Sequence, residues 1–330
     1  MKRIAVIGLG KMGLLHSSIL NTMRDVEVAC ICEKSGLIRL YGRKVLSKIP
    51  VVKELNGLID ANIDAIYVTT PAFTHYPLIK EIYAKSISNN IFVEKPFTFN
   101  YDQSKELCDT AARHGGITMV GFMKRFAPTY KMAKSFVVEG RLGKIKSFAG
   151  HAYSSDFYAL DEFVPQAYAR GDVLRDIGCH AIDMMLWILG EMKVLKADLT
   201  IIAKSQASYV DSVHAQVGAI NDSEGVFDAS WSRANYRLPE IGISITGSEG
   251  TMIVNEEIFE FHSDGNKPIV KKRAELENGV PFFLAESDYY LEDRCFIDAL
   301  GTRSSGHVDF SVAAKTDFCI NSILETGGYD

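Results

Sequence analysis

The feature that most constrains this chain is its first thirty-three residues. A β-branched run from Arg3 to Gly8 breaks at Gly8-Leu9-Gly10-Lys11-Met12-Gly13, and apolar residues then recur at helical spacing from Met12 to Met23. A strand that ends in three spaced glycines and restarts as a helix has few stable uses. Gly8 permits the tight turn, Gly10 lets backbone approach a pyrophosphate, and Gly13 lets helix and strand pack closely. The free N–H groups of the helix start, at Lys11 and Met12, favour an anion. Glycines at this spacing also arise in ordinary turns, and the strand-loop-helix setting is what separates the two readings. A second strand, Val26 to Cys32, ends at Glu33, about 20 residues past the last glycine, where an acid accepts from ribose hydroxyls. A carboxylate there repels a 2′-phosphate and so favours NAD, while the adjacent Lys34 and Ser35 keep NADP possible.

The pattern repeats downstream. Strands are expected at Asp64 to Thr70, Asn90 to Glu94 and Ile117 to Phe122, and helices at Thr74 to Ala84 (Thr74 as N-cap) and Tyr101 to His114. Strands alternating with helices imply right-handed crossovers and an α/β doubly wound parallel sheet, a Rossmann domain over 1–122. At 330 residues the chain exceeds what one core usually supports. The remainder, 123–330, reads as an α+β substrate-binding and oligomerisation domain. It has strand-like runs at Lys144 to Ala152, Val194 to Ile202, Ser212 to Ile220, Gly225 to Ser232, Glu240 to Thr246 and Thr251 to Asn255. Helices are expected at Asp176 to Leu189, Tyr289 to Leu300 and Val312 to Thr326. Turns at Asn221-Asp222 and Ser248-Glu249 between consecutive strands predict an antiparallel or mixed sheet.

A net charge of −5 gives no attraction to nucleic acid or an anionic membrane, and no apolar stretch reaches a membrane-spanning length. The six cysteines contain no CxxC pair and read as reduced thiols of a cytoplasmic protein; no metal site is expected.

Chemistry-bearing residues gather at strand ends and on one helix. Thr70-Pro71 and His75 follow one strand, on the sheet edge where such folds bind ligands; for His75 a surface role is as plausible as cofactor contact. Glu94 and Lys95 end another strand. The Lys95 ammonium would stabilise charge developing on a substrate oxygen. Asp176 and His180 are four residues apart, hence on one helical face, where a carboxylate raises the basicity of a histidine suited to general acid–base work. Taken alone the pair also fits a surface ion pair, and Asp183 competes as its carboxylate. Cys179 beside His180 points away and makes no dyad; Trp187 and Trp231 read as core.

These stretches resemble the glucose–fructose oxidoreductase / inositol dehydrogenase / rhizopine catabolism (Gfo/Idh/MocA) family nearly end to end. The likeness runs through G-L-G-K-M-G, T-T-P-A-F-T-H, V-E-K-P-F, V-G-F-M-K-R-F, G-R-L-G-K-I, D-I-G-C-H-A-I-D, A-S-W and I-T-G-S-E-G-T. The resemblance implies an open, mostly antiparallel sheet in the second domain that forms a homodimer or homotetramer contact. It implies NAD(P)-dependent hydride transfer with a secondary alcohol of a sugar, cyclitol or related polyol, the nicotinamide lying near Glu94 and Lys95. Lys95 would bind the reacting oxygen, Asp176 position the substrate and His180 shuttle the proton. Two rivals share the scaffold: a nicotinamide-dependent glycosidase and a non-catalytic dinucleotide-binding sugar sensor. Arg175 stands where an apolar residue is frequent, and would touch an anionic substrate group or pair with Asp172. The aromatic stretch from His151 to Arg170 is expected to line the pocket, with Tyr153, Phe157 and Tyr158 as candidates.

Overall fold

The computed structural model describes residues 1–46, 48–160, 162–219, 222–276, 280, 286–302 and 308–329. Its contacts divide the chain into two compact units, Met1–Met123 with Val280–Ala314, and Lys124–Gly279 with Lys315–Asp330.

The first unit runs β1 (Lys2–Ile7), α1 (Lys11–Leu20), β2 (Val26–Cys32), α2 (Gly36–Val45), β3 (Val51–Val52), β4 (Ala65–Val68), α3 (His75–Ala84), β5 (Ile91–Glu94), α4 (Tyr101–His114) and β6 (Thr118–Gly121). Its six strands lie in the order β3-β2-β1-β4-β5-β6, every pair parallel. All four residues of β4, β5 and β6 are buried, the continuous burial of a sheet covered on both faces. Strand order reverses between β1 and β4, which puts a crevice at their carboxyl ends. Helix α4 begins where Asn100 Oδ1 accepts the Gln103 N–H at 3.0 Å. Thr74 stands at the N-cap position of α3, as expected, but its side chain makes no capping bond. It is itself in helical conformation after a 3₁₀ turn, Ala72–Thr74, and its hydroxyl bonds the Pro71 carbonyl at 2.7 Å.

The second unit contains α5 (Pro128–Val138), β7 (Ile145–Tyr153), α6 (Pro165–Arg170) and α7 (Cys179–Leu189). The strands β8 (Met192–Lys204), β9 (Ala207–Ala219), β10 (Glu224–Ser230), β11 (Glu240–Gly247), β12 (Thr251–Asn255), β13 (Ile258–His262) and β14 (Ile269–Lys272) follow. The eight-stranded sheet has the order β14-β13-β12-β11-β7-β10-β9-β8, antiparallel except where β7 meets β10. Helices α5 and α7 cover one face. Phe136 of α5 packs on Phe259 and Phe261. Gly150 admits Met185 of α7, whose sulfur would lie 2.2 Å from any added Cβ. The alternate residues, among them His151, Tyr153, His214 and Asp228, project from the opposite face. Ile220 and Asn221, expected at a strand end and turn, lie outside the described residues.

The last helices are α8 (Ser287–Thr302) and α9 (Phe310–Thr326). By its contacts α8 groups with the first unit and not with the rest of 123–330. Phe296 of α8 sits edge-on to Tyr67 of β4 and Phe92 of β5, and Arg294 makes two hydrogen bonds, 2.8 and 2.9 Å, to Asp25. The division between the units falls inside α9. Among the described residues no helix is long and apolar enough to cross a membrane.

Candidate active site

The glycine loop is built as a cradle. Gly8 has φ +92°, the left-handed region open to glycine, and a Cβ there would lie 2.7 Å from Thr70. A Cβ on Gly13 would lie 1.9 Å from the Gly8 carbonyl, so helix and loop touch through missing side chains. At Gly10 a Cβ would meet nothing within 4 Å, the open backbone approach a pyrophosphate needs. Thr69 places its hydroxyl 3.0 and 2.9 Å from the carbonyls of Ile7 and Gly8 and pins the loop to β4. Glu33 is buried and accepts the Leu9 and Ser35 N–H groups, each at 2.7 Å. Each carboxylate oxygen keeps further acceptor capacity, so Glu33 braces the loop and still suits ribose hydroxyls. Gly8, Gly10, Gly13, the α1 start at Lys11 and Met12, and Glu33 therefore form one site that fits a dinucleotide.

His75, expected either at the surface or at the cofactor, is turned inward. It is fully buried, with Nδ1 2.9 Å from the Pro96 carbonyl and Nε2 2.9 Å from the Thr70 carbonyl. Burial pushes it below the usual histidine range, so the ring is neutral and donates to one of the two. It ties the Thr70-Pro71 turn to the Lys95-Pro96 turn, whose peptide is cis. Glu94 is also turned inward. Its Oε2 accepts the Lys95 N–H at 3.0 Å and its Oε1 lies 2.9 Å from His16 Nε2.

In the second unit a π-helical turn, Leu174–Gly178, leads directly into α7, placing Asp176 in that turn and His180 in the first turn of α7. The competing carboxylate is committed elsewhere. Asp183 is buried and held by Arg125 at 2.8 and 2.6 Å, although burial pushes its carboxyl above the usual range. Asp176 lies in reach of Arg170 at 3.1 Å, and Arg170 also bonds Asp156 at 2.6 Å. Arg175 takes the second of its two expected roles: its guanidinium pairs with buried Asp172, whose Oδ1 accepts the Arg175 N–H at 2.8 Å. Cys179 is buried, its thiol 3.3 Å from the Arg175 carbonyl.

The aromatic candidates separate. Tyr153, expected at the substrate, stacks on His151 on the sheet face opposite the one α7 covers. Its position at the end of β7 fixes that face by the two-residue period of a strand. Phe157 is buried edge-on to Trp231, and Tyr158 is exposed.

The family description "Oxidoreductase family, NAD-binding Rossmann fold" matches residues 2–122, and "GFO/IDH/MocA C-terminal domain" matches residues 130–253. The chain belongs to the GFO/IDH/MocA family. Its first unit carries the family's NAD-binding fold, and the protein is an NAD-dependent oxidoreductase of the dehydrogenase type. It is 27% identical over 269 residues to scyllo-inositol 2-dehydrogenase (NAD(+)) of Bacillus subtilis, covering 76% of this chain and 73% of that one. It is 27% identical to myo-inositol 2-dehydrogenase of Thermotoga maritima, over 77% of this chain and 75% of that one. Its fold matches levoglucosan dehydrogenase, solved with NADH and levoglucosan, with a TM-score of 0.86 at 19% identity over 99% and 97% of the two chains.

Proposed function

We propose that the protein oxidises, reversibly, a secondary alcohol of a sugar, cyclitol or related polyol. Bound NAD supplies the hydride acceptor. His180 takes the hydroxyl proton, Lys95 stabilises the charge that develops on the oxygen, and Asp176 accepts a hydrogen bond that orients the substrate. Arg170 holds Asp176 in place. The observation that carries this reading is the helical run on which Asp176 and His180 stand four residues apart, Asp176 within reach of Arg170, while the neighbouring Asp183 is held by Arg125. The cyclitol and anhydrosugar substrates in the names of its relatives support the same class. The open sheet face of the second unit supports association of copies into a homodimer or homotetramer, and six cysteines without a CxxC pair suit a reducing, cytoplasmic setting.

The test is a panel of inositols, anhydrosugars and glycosides with NAD, read by the absorbance of reduced nicotinamide. Lys95→Ala and His180→Ala are expected to lower kcat by about 10²–10⁴-fold while NADH still binds. Full turnover in either variant refutes the assignment. Nitrophenol release from a nitrophenyl glycoside without net reduction would make the protein a glycosidase instead. NADH binding with no turnover on any compound would make it a sensor.

A further inference from the structure

Behind the dinucleotide loop lies a charge cluster that the proposed reaction leaves unassigned. His16, on α1, is fully buried and has a carboxylate at each ring nitrogen: Asp293 of α8 at Nδ1, 2.8 Å, and Glu94 of β5 at Nε2, 2.9 Å. A neutral imidazole has one donor nitrogen and would turn a lone pair toward one of these acids, whereas an imidazolium donates to both. Three elements meet at this ring. The N-terminus of α1 faces the dinucleotide loop, β5 ends in Lys95, and α8 returns from the far end of the chain. The other oxygen of Glu94 takes the Lys95 N–H, so one carboxylate links His16 to the backbone of Lys95.

The surroundings leave little slack. Phe92 lies edge-on to the imidazole at 5.1 Å, with Tyr67 at 5.5 Å and Tyr289 at 6.2 Å. Asp288 and Glu292 are buried on α8 beside the cluster. Burial opposes charge on His16, but Asp293 and then Glu94 outweigh it and hold the ring well above the usual histidine range. Burial likewise opposes charge on Glu94, and the His16 bond outweighs it, leaving Glu94 below the usual carboxylate range. Burial raises Asp293, and burial together with Glu94 pushes Glu292 well above that range.

We infer that His16 is a positioning residue: as an imidazolium clamped between Glu94 and Asp293, it locks the strand end that presents Lys95 to the helix that carries the dinucleotide loop. The clamp joins cofactor grip to the placement of Lys95. The role of Lys95 is that of the reaction proposed above; the clamp itself is read without any substrate.

Three measurements test it. In the wild type, ¹⁵N NMR of labelled histidine should show both His16 nitrogens protonated at about pH 8, above the free-histidine range; a neutral ring there overturns the proposal, and this holds even if no variant folds. In His16→Gln the ionised Glu94 is left buried without its cation, so burial is no longer offset and pushes its carboxyl up, and the defect must grow as pH rises through that shifted range. NADH affinity should fall about tenfold at about pH 8 but less than about threefold at about pH 5.5, and Glu94→Gln added to His16→Gln should reduce that pH dependence, with Asp293, which also loses its cation, carrying what remains. A purely packing role predicts one loss at every pH, untouched by the second substitution. On any polyol that the wild type turns over, His16→Gln should lower kcat by about 10–100-fold with KM within about threefold. If the NADH results hold and no polyol reacts, the reaction fails and the clamp stands; if polyols react but NADH binding by His16→Gln is indifferent to pH, the clamp fails alone.

Discussion

Replacing Glu33 by Gln tests the cofactor site at its most specific point. Glu33 Oε2 accepts the Leu9 N–H and Oε1 accepts the Ser35 N–H, both at 2.7 Å. Glutamine is nearly isosteric but offers one acceptor oxygen, and its amide nitrogen would face the other N–H. One charge-assisted bond is therefore lost, about 1.5–3 kcal/mol, and the glycine loop that hangs from it loosens. The ribose hydroxyls lose an anionic acceptor as well, so NADH affinity should fall by about tenfold. NADPH should behave oppositely. A 2′-phosphate about 5 Å from the carboxylate, at an effective dielectric of about 20, is repelled by about 3 kcal/mol per unit charge. Removing that repulsion leaves Lys34, and Arg39 with its Nη1 3.0 Å from the Glu33 carbonyl, as the nearby charges. The NADPH-to-NADH affinity ratio should rise on the order of 100-fold. Titrating both nucleotides by fluorescence into wild type and Glu33→Gln measures this. A ratio changed by less than about threefold would mean that Glu33 braces the loop without meeting the ribose.

Two further outcomes follow from the geometry. Gly10→Ala adds a methyl to open space, so unfolding free energy should move by less than about 1 kcal/mol while NADH affinity drops at least about tenfold. Gly13→Ala drives a Cβ to 1.9 Å from the Gly8 carbonyl and should cost about 1–3 kcal/mol together with NADH binding; equal behaviour of the two variants in urea melts would contradict the cradle. Arg125→Met leaves Asp183 buried without its cation and should cost about 3–5 kcal/mol. Asp183 already has a raised folded pKa, which rises further without Arg125, so the penalty is full above that pKa and is relieved as pH falls through it. Urea melts of Arg125→Met should improve relative to wild type in acid, and Asp183→Leu should rescue most of the loss at neutral pH.

What the sequence made legible is what short-range pattern encodes. The glycine loop and the Glu33 strand end depend on neighbours within a few residues, and β2, α4 and β12 fall where periodicity puts them. Helix α2 was missed because Gly36 and Gly42 interrupt it and Leu37, Leu40 and Tyr41 are exposed, which blurs its apolar stripe. Strand β3 is two residues long, too short to show alternation. His75 was ambiguous because a histidine at a helix start looks the same whether it faces solvent or two backbone carbonyls; the choice is made by the Lys95-Pro96 turn, more than twenty residues on.

The partners of the buried ions were illegible for a stronger reason. His16 and Asp293 are 277 residues apart, and Arg125 and Asp183 are 58 apart. Nothing in either local pattern distinguishes a solvated charge from a buried one, because the burial is supplied by other elements. For α8 the missing information is which sheet it covers. Its helical period was readable, but an apolar helix face fits many sheets, and the choice is fixed by Phe296 against Tyr67 and Phe92, by Arg294 on Asp25, and by Asp293 on His16. The last of these contacts costs more than an apolar one, since it places a carboxylate in a dry interior where only a charged ring can answer it. An apolar pair would cover the sheet as well, yet it could not hold Glu94 as an anion beneath Lys95. The cluster is therefore better explained by what it does to the end of β5 than by what it adds to stability.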